Sequence, residues 1–400
     1  MTIFLKGKLD VLRYIVEQMA VRTKDAVFVD TTENDFFLQI FEMDSEIDEN
    51  THVITLNNVG VNLLLEGGEN YWELKNVKLH NIQVDPPIFY KSTLDLQLNC
   101  MQIVTVDGYH NQFVKHYYPV YQNSIFVPLG GARDAEHIKK YEEREIEILF
   151  LGGLQGAEEQ QFEIPMLADK GKGLHEMAMQ LMTEDPNLSV ETFMEAYFQA
   201  VEPGLTEQVQ LICIYAVYRD VVRAIRGMYQ EKIIETLALA GIPVTIYSGG
   251  GWHKLGEAYP GIVTVKERVS FAECVGLIGN SKICLNIQPW FKYGAHDRVY
   301  NAMLNEAVCV TDISEYLVQH FTHGQDIIFY ELNRLDKLVE DVKYVLANPD
   351  YAKMIIHNQK QRAVGQTWAD RLEEIIGSCA VEGKKGAANE DYNYFRTADR

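Results

Sequence analysis

The residues best suited to chemistry lie in one run, Gln288-Pro289-Trp290-Phe291-Lys292-Tyr293-Gly294-Ala295-His296-Asp297-Arg298. It follows an apolar stretch, Ile283 to Ile287, that reads as a buried strand. After it, Val299, Ala302 and Met303 recur at helical spacing. A strand, a loop containing Gly294 and a helix start together present backbone N–H groups to a phosphate. Arg298, in the first helical turn, adds a bidentate cation for the same group. A bare cation there opposes the helix macrodipole, so its presence argues for an anionic ligand. By spacing alone, a solvated Asp297–Arg298 pair is the alternative.

Other candidates are less specific. Gly152-Gly153 and Gly249-Gly250-Gly251 each follow a strand-like run, where glycine lets the backbone approach a ligand; plain tight turns are the commoner explanation of either. Trp252 and His253 are placed to stack on a base, or else to cap the core. Asp85, Asp107 and His110 fall at predicted strand ends, where a carboxylate or imidazole can deprotonate an acceptor hydroxyl. Asp85 before Pro86 and Asp107 before Gly108 also suit turn capping. No Gly-x-Gly-x-x-Gly or Gly-x4-Gly-Lys-Ser/Thr loop follows a strand, which removes the main support for NAD or P-loop readings. His80, His116 and His137 lack ligand spacing, and no His-x-x-x-His or Asp-x-Asp marks a metal site, so neither metal nor cofactor is expected.

The elements that must position these residues alternate between strand and helix. Leu9–Val21 has helical period, and Ala26–Asp30 reads as a buried strand. Further strands are predicted at 51–56, 81–84, 101–106 and 124–127, ending in Asn57-Asn58-Val59-Gly60, Asp85-Pro86-Pro87, Asp107-Gly108 and Pro128-Leu129-Gly130-Gly131. A charged segment, Ala132–Glu145, reads as a linker or a helix beside one. The pattern then restarts with strand 146–151. Helices follow at 174–182, 190–200 and 206–240, then strands at 241–247, 262–265, 283–287, 308–311 and 326–329. Ser270 is a plausible N-cap for a helix over 270–277. This is an α/β chain whose parallel sheets place a site at the strand C-termini. Two Rossmann-like domains facing a cleft are expected, over residues 1–143 and 144–380, with a polar tail at 381–400.

Composition narrows the partners. The 400 residues carry 36 Lys plus Arg against 57 Asp plus Glu, a net charge of −21 that disfavours nucleic acid and anionic membranes. An anionic small ligand therefore needs a locally basic pocket. Six scattered cysteines without a Cys-x-x-Cys pair read as buried thiols in a reducing compartment. With no run long enough to span a membrane and no apolar leader at Met1–Asp10, a soluble cytoplasmic protein is expected.

The second half resembles the CgeB-like (spore-maturation) group of GT-B glycosyltransferases. The resemblance rests on Ser281-Lys282-Ile283 to Asn286, Pro289-Trp290, Gly294, His296-Asp297-Arg298, Asn301-Ala302-Met303, Asp312, Tyr316-Leu317 and Thr367-Trp368-Ala369-Asp370-Arg371. Asp85-Pro86, Asp107 and the stretch from Tyr117-Tyr118-Pro119 to Pro128 extend it into the first half. It implies a GT-B fold and metal-independent sugar transfer from a nucleotide diphosphate sugar. Gly294, His296 and Arg298 would lie near the donor diphosphate. The chain departs from the Glu-x7-Glu pattern of many retaining GT-B enzymes: aligned on Gly294, those positions hold Tyr293 and Asn301. Asn301 can still bond a ribose hydroxyl.

The expected function is therefore transfer of a sugar from a nucleotide sugar, uridine-linked, to a hydroxyl acceptor that enters from the N-terminal half. Asp85, Asp107 and His110 are the candidates to activate that hydroxyl. Gly152, Gly153, Gly249, Gly250, Trp252, Gly294, His296, Asp297, Arg298 and Asn301 are the candidates for the donor. A nucleotide-sugar epimerase and a non-catalytic carbohydrate-binding or surface-assembly protein are the alternatives on the same fold.

Overall fold

The computed structural model describes residues 1–154, 176–177, 180–181, 184–185, 187–201, 203–248 and 250–382. Gly249, most of the predicted helix at 174–182 and nearly all of the polar tail lie outside the described residues.

The fold consists of two six-stranded parallel sheets, each flanked by helices. The first is built from β1 (Thr2–Lys6), β2 (Ala26–Asp30), β3 (His52–Leu56), β4 (Lys78–Gln83), β5 (Met101–Thr105) and β6 (Ile125–Phe126), in the order β2-β1-β3-β4-β5-β6. The second contains β7 (Ile146–Leu151), β8 (Val244–Ser248), β9 (Val263–Glu267), β10 (Ser281–Asn286), β11 (Val308–Asp312) and β12 (Ile328–Tyr330), in the order β12-β11-β10-β7-β8-β9. Central strands such as β5 and β11 are buried along their whole length, as parallel strands covered by helices on both faces must be. Strand order reverses between β1 and β3 in one sheet and between β7 and β10 in the other. The crevices outside the strand C-termini at these two points are where α/β sheets bind ligands.

The predicted strands are all present, within a few residues of their expected bounds. β1 is an addition: its five residues sit in a stretch that the sequence reading weighs only against a leader peptide. Ser270 caps the helix Phe271–Gly279 through a full capping box with Glu273. The segment 132–145 forms no α-helix. It makes two 3₁₀ turns, Ala135–His137 and Tyr141–Glu143, held against the second sheet's elements. Asn305, for example, accepts from the Asp134 N–H and donates to the Ala132 carbonyl.

The chain returns to the first sheet at its end. Gly131 N–H donates to the Gln366 carbonyl, and the Gly131 carbonyl accepts from the Trp368 N–H. The helix Trp368–Glu382 then packs on the helix Asp10–Ala20, with Arg22 paired to Asp370 at 2.6 Å. A Cβ on Gly130 would lie 2.7 Å from the Trp368 nitrogen, so only glycine permits this crossing.

The described residues between β7 and β8 include the helices Val190–Val201 and the 33-residue Glu207–Leu239. At 1.5 Å per residue the second is about 50 Å long, enough to reach from one sheet to the other. Tyr215 on it bonds Tyr118 of the first half, and further along it Arg226 lies over Trp290 of the second. Among the described residues no helix is long and apolar enough to cross a membrane.

Candidate active site

The loop 288–296 is fixed from both ends. The Gln288 N–H donates to Asp312 Oδ1 at the end of β11, and Gln288 Oε1 accepts from Asn286 Nδ2 and from the His296 N–H. This closes the loop neck and sets the start of the helix Asp297–Leu304. His296 is its N-cap, with Nδ1 3.2 Å from the Arg298 nitrogen and 2.6 Å from Asp297 Oδ1. Burial holds the imidazole below its usual range; the Asp297 carboxylate pulls the other way, and the Arg298 charge adds to the burial.

Arg298 lies across the second crevice. Its guanidinium donates to the Leu151 carbonyl at the end of β7 and to Asn286 Oδ1 at the end of β10, both at 2.7 Å, and sits 5.5 Å from the Phe150 ring centroid. Both hydrogen-bond acceptors are neutral, and the charge is felt by the buried Asp297 and Asp312 carboxylates. Gly152 and Gly153 leave this spot open: a Cβ on Gly152 would stand 3.9 Å from the guanidinium. Gly250 closes the neighbouring turn through Ser248, whose hydroxyl bonds both its N–H and its carbonyl.

A second guanidinium comes from the long helix. Arg226 stacks over Trp290 at 4.4 Å, and its Nε is buried without a hydrogen-bond partner. Desolvation, and secondarily the Arg298 charge, lower its pKa to about 10. Lys292 is also buried, with its ammonium pulled down by desolvation and back up by Asp312 and Asp107. Asp312 itself is raised to about 6, because burial outweighs the Lys292 charge. Gln288 Nε2 and Asp312 Oδ2 are likewise buried and unpartnered. Two like charges in electrostatic reach of each other, with unsatisfied polar atoms nearby, form a site suited to an anion.

Several sequence candidates take other places. Trp252 is fully buried, edge-on to Phe150 with its Nε1–H on the Gly152 carbonyl, so it closes the β7–β8 turn and offers no face to a base. Asn301, 2% exposed, uses Oδ1 for the Ala132 N–H and Nδ2 for Asp297 Oδ2; it secures the segment between the sheets and has no atom left for a ribose. Gly294 is required by packing: a Cβ there would lie 2.5 Å from the Val106 carbonyl oxygen. Asp297 is the carboxylate that holds His296 and Asn301.

On the first sheet's side, Asp107 is 1% exposed, with Oδ1 accepting from the Tyr109 N–H and Oδ2 from the Tyr293 N–H. It caps the helix Gly108–Tyr117 and clips it to the loop 288–296, leaving no free lone pair directed at an acceptor. His110 is sealed in the same helix, with Nε2 3.3 Å from Glu191 Oε1, which also accepts from the Tyr218 hydroxyl. Burial disfavours its imidazolium, but Glu191 and Asp107 outweigh that and raise its pKa. Asp85 differs from both. Asn57 and Tyr90 both donate to its Oδ2 at 2.9 Å, and Oδ1 has no hydrogen bond among the described residues. Its charge acts on His110 and on Arg226.

Sequence reasoning gave no role to Arg226, Glu191 or Tyr218. The available signal was Arg219, Arg223 and Arg226 at positions i, i+4 and i+7 of a predicted helix in an acidic chain. Among the described residues no three His, Cys, Asp or Glu side chains converge as a metal site would need.

The arrangement of two Rossmann-type sheets with a cationic crevice defines the class as GT-B. Residues 223–377 match the family model described as glycosyl transferase-like. HepE from Anabaena, in a crystal structure with UDP and glucose, is similar at 9% identity over 95% of this chain and 99% of that one, with a TM-score of 0.54. A glycosyltransferase from Rickettsia africae is similar at 9% identity over 96% and 99%, with a TM-score of 0.52. TarM is similar at 10% identity over 85% of this chain, which spans 57% of TarM, with a TM-score of 0.45. No curated protein matches the sequence. Family match and fold together support a glycosyltransferase.

Proposed function

We propose that the protein moves a sugar from a uridine diphosphate sugar to a hydroxyl acceptor in the cytoplasm, without a metal, with CgeB-like specificity. The second half, 144–380, takes the donor and the first half, 1–143, the acceptor. The observation that carries this reading is the Arg298 guanidinium laid across the β7–β10 crevice on neutral acceptors, with the Arg226 guanidinium over Trp290 of the neighbouring loop, in a chain with net charge −21. Like charges brought together at a strand-end crevice are stabilised by a bound polyanion, and a diphosphate fits two guanidiniums and a helix N-terminus.

As the acceptor oxygen attacks the anomeric carbon, the bond from that carbon to the diphosphate oxygen breaks, and the electron pair leaves with the diphosphate. Arg226, Arg298 and the N-terminus of the helix Asp297–Leu304 stabilise the charge that develops there. Asp85 Oδ1, the one free carboxylate oxygen among the three candidates, takes the acceptor proton. Asn57 and Tyr90 hold the carboxylate in position by its other oxygen.

The test is thermal stabilisation of the purified protein by nucleoside diphosphates and their sugars, in the presence of a chelator. A ligand at about 100 times its dissociation constant adds about 2.7 kcal/mol to native stability. A selective shift with uridine ligands is expected. A folded sample that responds to none of them would instead favour a non-catalytic protein.

A further inference from the structure

The long helix Glu207–Leu239 belongs by sequence to the second half, yet its first part is anchored in the other one. The Tyr215 hydroxyl lies 2.8 Å from that of Tyr118. Its ring is edge-on to Phe113 at 6.5 Å, with the Lys91 ammonium 5.4 Å from its centroid. Tyr218 is fully buried and stands edge-on to Phe89 at 5.9 Å. Its hydroxyl donates to Glu191, whose carboxylate pairs with His110 on the helix Gly108–Tyr117.

Further along, the same helix is held by the second half. Arg226 lies over Trp290, and Glu235 accepts from the Tyr259 hydroxyl at 3.1 Å. Ile233 and Leu237 are buried in one apolar cluster with Val244 and Ile246 of β8, and that cluster also takes in Ile3 and Leu5 of β1. The helix therefore sits in a core shared by both sheets, and halves joined through a large apolar interface do not hinge freely. It has no proline, and its one glycine, Gly227, is buried. It is a continuous rod between two grips. From position 215 to 226 is about 16 Å along the axis and about 20° around it, so Tyr215 and Arg226 share a face. A slide or turn of the rod at Tyr215 is carried directly to Arg226.

We infer that Tyr215, Tyr218 and Glu191 are positioning residues for the donor: by fastening the rod to the first half, they set Arg226 at the donor crevice. This rests on the donor reading above. The first half then takes part in donor binding without touching the nucleotide. Arg226 is sensitive to such anchoring because its Nε has no hydrogen bond, so the helix that carries it sets where it stands.

The experiment is a double-mutant cycle on the full chain, read as the dissociation constant of UDP by calorimetry. Tyr215→Ala is compared with and without Arg226→Gln. The expected result is a weakening of about fivefold or more with Arg226 present, and of less than about twofold in the Arg226→Gln background. Tyr215→Phe keeps the ring on Phe113 and should keep the affinity. Ile375→Ala opens a cavity in the cluster beneath the C-terminal helix, so it should lower stability and leave UDP affinity unchanged. If Tyr215→Ala does not fold, Tyr218→Phe, which removes only the hydroxyl on Glu191, goes through the same cycle. Equal weakening in both backgrounds, or none in either, overturns the inference. So does an equal loss of affinity in Ile375→Ala, which would make the effect one of stability alone. Failure of the donor reading is distinct: the unsubstituted chain then gives no UDP response, and the inference falls with it.

Discussion

The two sheets each present a crevice where strand order reverses, and the two crevices are filled differently. In the first, between β1 and β3, the protein occupies the space itself. Val59 packs so closely on Gly7 that a Cβ there would be 2.7 Å from the valine methyl. Asn57 and Asn58 both adopt left-handed backbone and spend their amides on the Val84 N–H, Asp85 and Asn81. Trp72 donates to the Gly60 carbonyl, Thr31 to that of Lys6 and Arg13 to that of Gly7. In the second crevice, the Arg226 Nε, Gln288 Nε2 and Asp312 Oδ2 are left without hydrogen bonds, and Arg298 is held only by neutral groups. One architecture thus yields a crevice between β1 and β3 that the protein fills itself, although Gln83 at the end of β4 keeps both amide atoms buried without a partner, and a second crevice whose polar groups await a ligand. Polar substitutions in the first, Asp85 and its Asn57 partner apart, should change stability, and those in the second should change binding.

The largest effect that would break this comparison is at Arg298. Arg298→Ala should weaken nucleotide binding by about ten- to a hundredfold, since it removes a charge-assisted contact worth about 1.5–3 kcal/mol and strands the Leu151 carbonyl and Asn286. Titration calorimetry on the folded variant measures it. Val59→Ala, at the first crevice, should leave nucleotide affinity where it is. Equal loss in both variants would mean that the two crevices do not differ in kind.

Asn301 gives the next effect and separates packing from binding inside the second half. Asn301→Ala removes the bonds to the Ala132 N–H and to Asp297, so it should cost about 3 kcal/mol of stability, two buried hydrogen bonds' worth. Chemical denaturation would read this, and nucleotide affinity should follow only the folded fraction. A selective loss of affinity at unchanged stability would return Asn301 to the ribose.

These residues also show what the sequence could reveal. The run 288–298 was legible as the site because strand, glycine loop, helix start and basic charge are all local features. The reason for Gly294 was not, because its neighbour is the Val106 carbonyl, far away in sequence. Asn301 and Ala132 meet across 169 positions, and no periodicity encodes that. Asp107 was correctly placed just beyond a strand end and His110 lies in the helix that follows it, but whether their polar atoms were free depended on Tyr293 and Glu191, which only folding brings in. β1 was passed over because five residues at the chain start carry no preceding turn signal.

His80 puts the first half's side of the comparison to a pH test. It is buried on β4, between His52 Nδ1 at 3.0 Å and Gln102 Oε1 at 2.9 Å, and desolvation lowers its pKa to about 4. A histidine depressed in the native state contributes stability that is full above its unfolded pKa and is lost as pH falls from about 6.5 towards 4. Between pH 7 and 5 the loss should be about 2 kcal/mol, and His80→Gln should flatten it. Nucleotide affinity of the folded protein should be the same in both.

Asp312 should show the opposite sign and the smallest effect. Its folded pKa, raised to about 6 by burial against the partial offset of Lys292, lies above the unfolded value near 4. The contribution is therefore full below pH 4 and is lost as pH rises through 6, about 1 kcal/mol between pH 5 and 7. Asp312→Asn keeps an oxygen for the Gln288 N–H and should remove that slope. Because Asp312 belongs to the unsatisfied crevice, the same substitution should also change how nucleotide affinity varies over this pH range, which His80→Gln should not. Parallel titrations of the two variants would show whether the division between a self-satisfied crevice and a ligand-ready one holds at the level of single protons.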